Sequence, residues 1–352
     1  MKPPTEAQAV PQVVELLADL FARSPKTVRV RHAGAAEAYD YAIAVAGRRF
    51  IAQYKTNASA GSVAAAIDRL KRVGDTKPNG QNLLVIVPYM GEVGRRLCDS
   101  AGNSWLDLCG NAKITASGMR IWIEGRPNKF IDRGRPPNLF AAKSSRVARQ
   151  LLLDPQRFQS QAQIAQQTGL GDGYVSKIVR RLEQEHYLVV DNAGAVRPRD
   201  PNVLLDAWHD AYDFNRHRII KGHVPARSGD ELLRQFVEAI DREKSQWAVT
   251  GLAAAWVYTH SAAFRLATVY LSAMPSRALL KRLEFSEEPK GANLWLVLPD
   301  DEGVFHGSRT VEAVPCAGPV QTYLDLKAQP ERAKDAAAEL RKRLLDWGRH
   351  AA

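Results

Sequence analysis

The sequence predicts an α+β chain in three blocks: an N-terminal α/β sandwich, a central helix–turn–helix with a β-hairpin behind it, and a C-terminal α/β domain. Three observations carry this. At 352 residues the chain is too long for one ordinary core. Its apolar residues switch between helix and strand spacing along the whole length. Two stretches interrupt that patterning, one at 125–138 dense in Gly, Pro and Asn and one around 221–229. The blocks are therefore 1–125, 138–215 and 225–352, with 126–137 as a basic Pro/Gly linker.

Composition narrows the class. With 45% hydrophobic and 25% charged residues, the chain has the apolar mass to build soluble cores. No run approaches the roughly 20 apolar residues of a membrane span, and Met1–Glu6 leads into no apolar stretch of signal-peptide length. Cys98, Cys109 and Cys316 are scattered, odd in number and without metal spacing. That argues against a disulfide framework and for a reducing cytoplasm. The net charge of +11 suits a polyanion binder. Much of it lies between Arg120 and Arg149, where Arg120, Arg126, Lys129, Arg133, Arg135, Lys143, Arg146 and Arg149 face only Glu124 and Asp132.

In the first block, Val13, Val14, Leu16, Leu17, Leu20 and Phe21 fall at helix spacing. Strand-like runs follow at 27–31, 39–45 and 50–54, the last two joined by a turn at Gly47. Residues 63–73 read as a helix, 83–88 as a buried strand, 92–100 as a helix and 105–108 as a strand. Mixed in this order they indicate an α/β sandwich.

The middle block is the most specific. Residues 161–168 read as a short helix, Gly169-Leu170-Gly171 as a turn, and Asp172 as the N-cap of a helix running to about Glu185. Ala165 is the small residue that lets two helices approach, and Gly169 supplies the positive φ that a tight turn needs. Val175, Ile178, Val179 and Leu182 form the buried stripe of the second helix, and a preceding helix at 147–153 forms the third wall. The opposite face carries Tyr174, Ser176, Lys177, Arg180 and Arg181, a polar basic surface suited to the major groove of double-stranded DNA. Residues 187–190, a turn at 191–194 and residues 195–199 make a hairpin that places Arg197 and Arg199 to touch phosphates, as would Arg149. The run resembles winged helix-turn-helix regulators over about sixty residues. A winged helix used only for protein contacts is the alternative.

In the first block, Asp40 on one strand is followed on its neighbour by Gln53-x-Lys55, with Gln53 and Lys55 on one face. An Asp with a polar-x-Lys pair resembles the PD-(D/E)xK site of restriction-endonuclease-like enzymes, and the block resembles their Mrr-like branch. The resemblance implies Mg²⁺ on Asp40 and Gln53, with Glu15 as a further carboxylate, and Lys55 acting on the attacking water. Gln in the acidic position weakens metal binding. An Asp capping a hairpin and a Lys at a strand end would have the same spacing.

In the last block, residues 246–256 read as a strand, a turn at Gly251 and a small-residue helix. Residues 265–271 and 293–298 read as strands, and 330–347 as an amphipathic helix. This is a nucleotidyltransferase-like order without its metal motif: Thr268-Val269-Tyr270 stands where an Asp-x-Asp would bind metal. Val249-Thr250-Gly251-Leu252-Ala253-Ala254, and Pro319-Val320-Gln321-Thr322-Tyr323-Leu324-Asp325-Leu326, resemble the AbiEi family, regulators and antitoxins of type IV toxin–antitoxin systems. The resemblance spans the middle and last blocks, about two hundred residues. It implies a winged-helix repressor of its own operon with a cognate toxin as partner. For any single residue of these segments, core packing is the alternative. The expected function is a sequence-specific DNA-binding transcriptional regulator without a cofactor, able to dimerise on a two-fold operator. A Mg²⁺-dependent nuclease guided by the winged helix is the alternative.

Overall fold

The computed structural model describes residues 2–34, 37, 39–76, 82–130, 139–261, 263–330 and 332–348. It divides into two compact units. One holds the described residues through Phe130 together with Arg181–Tyr187, and the other holds 139–180 and 188–348.

The first unit runs α1 (Glu6–Leu20), β1 (Arg29–His32), β2 (Tyr41–Val45), β3 (Arg48–Tyr54), α2 (Ala60–Thr76), β4 (Asn82–Val87), α3 (Glu92–Ser100), β5 (Ser104–Asp107), β6 (Ala112–Ala116) and β7 (Met119–Ile123). The seven strands lie side by side in chain order. β1–β3 form an antiparallel meander, β3–β4–β5 are parallel through α2 and α3, and β5–β7 are antiparallel again. Alternation along the strands builds two cores. Tyr41, Ile43, Phe50, Ala52, Leu84 and Ile86 meet Val13 and Leu17 of α1. Ile51, Val85 and Trp105 meet Val63, Leu70 and Val73 of α2 and Cys98 of α3. The block is thus a sheet with helices on both faces.

Strands β6 and β7 go beyond the sequence expectation. Ala112, Ile114 and Ala116 alternate inward, and the turn before β7 has Gly118 at φ +70°. The signal was present, but the basic residues drew the stretch from Arg120 into the linker. Arg120 in fact lies on β7, and Arg146 and Arg149 lie in a helix. Arg133, Arg135 and Asp132, with most of the 126–137 linker, fall outside the described residues.

The second unit begins with α4 (Ser145–Leu153), α5 (Gln161–Thr168), α6 (Asp172–Gln184, its end grouped with the first unit), β8 (Leu188–Val190) and β9 (Val196–Pro198). α5 opens with a capping box of Ser160 and Gln163 and closes on Gly169 at φ +67°, the left-handed residue the turn required. Asp172 is the first helical residue rather than the cap, since the Gly171 carbonyl already accepts from Val175 N. Val147, Leu151, Ile164, Ala165, Val175, Ile178, Val179 and Leu182 are all buried. The β8–β9 hairpin turns on Asp191, whose Oδ1 accepts from the backbone N–H groups of Ala193 and Ala195. Gln159 adds a bridge to Val196.

After the hairpin come α7 (Pro201–Ala211), β10 (Arg218–Gly222), α8 (Gly229–Ile240), β11 (Trp247–Thr250), α9 (Gly251–Thr259), β12 (Ala267–Leu271), α10 (Arg277–Arg282), β13 (Leu294–Leu298), β14 (Arg309–Val311), β15 (Val314–Cys316), α11 (Pro319–Leu326) and α12 (Ala333–Leu344). The sheet order is β10-β13-β12-β11-β15-β14. β12 runs antiparallel to β11 and parallel to β13. The break expected near residue 221 is the end of β10, paired to β13 inside this sheet. Residues 139–180 and the β8–β9 hairpin fall in the same unit as the C-terminal block, from which the sequence reading separated them. Arg146 of α4 forks onto both carboxylate oxygens of Asp301 at 2.7 and 2.8 Å and also donates to Thr168 O.

Candidate functional site

Three groups of residues gather chemistry. The first is the outer face of α6 and the hairpin beside it. Burying Val175, Ile178, Val179 and Leu182 turns Tyr174, Lys177 and Arg180 to solvent, with Ser176 partly exposed. Tyr174 is held from the start of α4: its hydroxyl lies 2.8 Å from Ser144 Oγ, and Lys143 Nζ sits 5.8 Å from its ring centroid. Arg181 is half-turned and pairs with Glu185 four residues on. On the hairpin, Arg197 lies over the exposed ring of Phe158 at 5.0 Å and donates to Gln156, while Arg199 is partly buried. Tyr174, Lys177 and Arg180 thus share an exposed face of α6, whereas Arg149 does not lie on that surface. That residue is only 3% exposed, stacks over Trp208 at 5.0 Å and donates from Nη2 to Gln321. It points into the second unit, because the α4 face on which it lies packs against α7 and α11.

The second group lies at the end of β3. Gln53 Nε2 donates to Asp40 Oδ1 at 3.1 Å, and the Tyr54 N–H donates to Asp40 Oδ2 at 2.8 Å. Burial lowers the Lys55 pKa, and the Asp40 charge opposes that shift. So Asp40, Gln53 and Lys55 do converge. Glu15 does not reach them by any contact; it is exposed on α1. Glu6 is the α1 carboxylate whose charge Lys55 feels, and nine residues separate the two, about two and a half turns, which puts them on opposite faces. The donors do not suit Mg²⁺, which favours several hard oxygen ligands: they are one carboxylate, with both oxygens already accepting N–H groups, and one neutral amide. Among the described residues no three His, Cys, Asp or Glu side chains form a metal-holding group.

The third group was missed. Asp325, fully buried on α11, accepts from Thr250 Oγ1 at 2.5 Å, Tyr212 Oη at 2.5 Å, Tyr270 Oη at 2.9 Å and Gln321 Nε2 at 2.7 Å. Burial lifts its carboxyl to about 6 even so. Gln321, one turn earlier, joins Asp325 to Arg149. His217 completes the set: its Nδ1 accepts from Asp300 N at 3.0 Å, which leaves Nε2 to donate to the Tyr212 and Tyr270 hydroxyls. Burial lowers its pKa to about 4. On β12, where the sequence offers no carboxylate pair, Thr268 accepts from Gln329 and Tyr270 turns to Asp325. The signal available in the sequence is the i, i+4 spacing of Gln321 and Asp325, which puts the amide and the carboxylate on one face of α11.

A family model described as "Transcriptional regulator, AbiEi antitoxin, Type IV TA system" matches residues 197–346, less than half of the chain. This is narrower than the span over which the sequence resembles the family: it starts within β9 and leaves α4–α6 outside. No curated protein and no solved structure matches the chain. Among the described residues no helix is long and apolar enough to cross a membrane.

Proposed function

We propose that this protein is a sequence-specific DNA-binding regulator, an antitoxin-like repressor of its own operon acting in the cytoplasm. The observation that carries the proposal is the outward Tyr174, Ser176, Lys177 and Arg180 face of α6 beside a hairpin bearing Arg197 and Arg199. A helix entering the major groove would present its first turns to base edges, and the arginines further along and on the hairpin would neutralise phosphates. The family likeness over residues 197–346 supports a regulator and adds a cognate toxin as the protein partner. A two-fold operator would bind a homodimer. The C-terminal sheet fits a nucleotidyltransferase-like architecture whose metal positions hold Thr268 and Tyr270, which favours regulation over catalysis.

The test is a gel-shift titration on the DNA upstream of the gene, with Mg²⁺ or with EDTA, against scrambled competitor. The proposal expects competitor-resistant shifts and intact DNA in both lanes. No shift on any DNA would refute it. The second reading, a nuclease, is favoured only by the convergence of Asp40, Gln53 and Lys55. It requires cleaved DNA in the Mg²⁺ lane alone, abolished by Lys55→Ala.

A further inference from the structure

Within the second unit a narrow, solvent-open cleft lies between α4 and the C-terminal sheet region, lined among others by Arg149, Trp208, Tyr212, Arg216, His217 and Asp301. Its inner wall holds an unusual group. Arg149 is buried, yet among the described residues its Nε and Nη1 have no hydrogen-bond partner. Among the described residues Nη2 alone is used, donating to Gln321, and that amide links Arg149 to the buried Asp325. A buried guanidinium with unmet donors is costly unless something accepts from it. The acids lining the cleft do not fill that role. Asp301 is held by both forks of Arg146, Asp213 accepts from Asn215 N, and Asp300 stands at the exposed rim with Arg216. Trp208 backs the guanidinium on its face, so the open directions are in its plane.

We propose that this cleft binds a small metabolite carrying a phosphate or carboxylate group, whose oxyanion accepts from Arg149, with Arg216 drawing it in at the mouth. A planar guanidinium suits both oxyanions. The site is also placed to regulate. One wall is α4, the first helix of the helix–turn–helix group, and the others belong to the C-terminal domain. A ligand gripping both therefore biases the pose of α4, and with it the affinity for DNA. This regulatory half rests on the DNA-binding proposal; the binding site itself does not.

The experiment is calorimetric titration of the full-length protein with inorganic phosphate and, separately, with succinate, each at an ionic strength balanced with chloride. The expected result is saturable binding of at least one of them, about one per chain, lost in Arg149→Met and weakened severalfold in Arg216→Ala. Which probe binds tells phosphate from carboxylate. No saturable binding of either by the wild type overturns the site. So does binding that neither variant changes. Should Arg149→Met fail to fold, the Arg216→Ala result decides, because that side chain is exposed. With the probe saturating, the affinity for upstream DNA should change at least about fivefold; an unchanged affinity overturns the regulatory half. Failure to bind any DNA, with the heat of ligand binding intact, would refute the repressor reading and leave the site standing.

Discussion

Asp325 and His217, both tied to the Tyr212 and Tyr270 hydroxyls, respond to pH with opposite signs. The folded Asp325 carboxyl, lifted to about 6, keeps its proton where the unfolded chain has released it. Its contribution to stability is full below the ordinary carboxylate range and is lost as pH rises through about 6. His217, lowered to about 4, stays neutral in the fold while the unfolded chain takes up a proton. Its contribution is full above the ordinary histidine range and is lost as pH falls through about 4. Between these values the two slopes oppose each other, each integrating to about 3 kcal/mol at most. Urea unfolding across that window should show Asp325→Asn gaining stability with pH more steeply than the wild type. The His217→Gln variant should deviate the other way, and coincident profiles would remove both assignments. The i, i+4 pair of Gln321 and Asp325 was legible in the sequence, but its partners were not, because Asp325 meets Tyr212 across 113 residues and Thr250 across 75.

Helices and turns were far more legible. The α5 span, the left-handed Gly169 and the buried stripe of α6 all follow from residues a few positions apart, which is why the pattern revealed them. A Cβ at Gly169 would meet only Arg146 Nη1, at an ordinary 4.0 Å, so Gly169→Ala tests chiefly the backbone. It should cost about 1–2 kcal/mol in thermal unfolding, the strain of a left-handed L-residue. On α6, Ser176→Ala or Lys177→Ala should cost about 1–3 kcal/mol on the cognate site and relax discrimination. Arg180→Ala or Arg197→Ala should weaken all DNA alike and reduce the salt slope by about one counterion. Equal behaviour of the two pairs in a competition titration would mean that the reading face is misassigned. Strands β6 and β7 are readable by their alternation too, although the basic residues of β7 and beyond resemble a charged linker.

At the scale of the whole molecule, sequence breaks predicted three blocks where packing makes two units. The joint inside the second unit is carried by Arg146, which unites α4, the end of α5 and Asp301. Arg146→Ala leaves Asp301 partly buried without its cation and should destabilise by about 1–3 kcal/mol. Calorimetry should show α4, α5 and the C-terminal sheet losing stability together; a separate early transition for the α4–α5 region alone would contradict a single unit.

By itself the sequence determined elements whose causes are local: the helix at 161–168, the left-handed turn at Gly169, the buried stripe of α6, the β8–β9 hairpin and the approach of Gln53, on β3, to Asp40, which stands just before β2 rather than on it. These rest on spacing, turn residues and alternation within one or two neighbouring elements. Only the tertiary structure decided that Arg149 leaves the basic surface for the inside of the second unit, and that Gln321 and Asp325 join it there. The reason is physical: a side chain's charge is written in the sequence, but its burial depends on partners, and Arg149 meets Gln321 across 172 residues of chain.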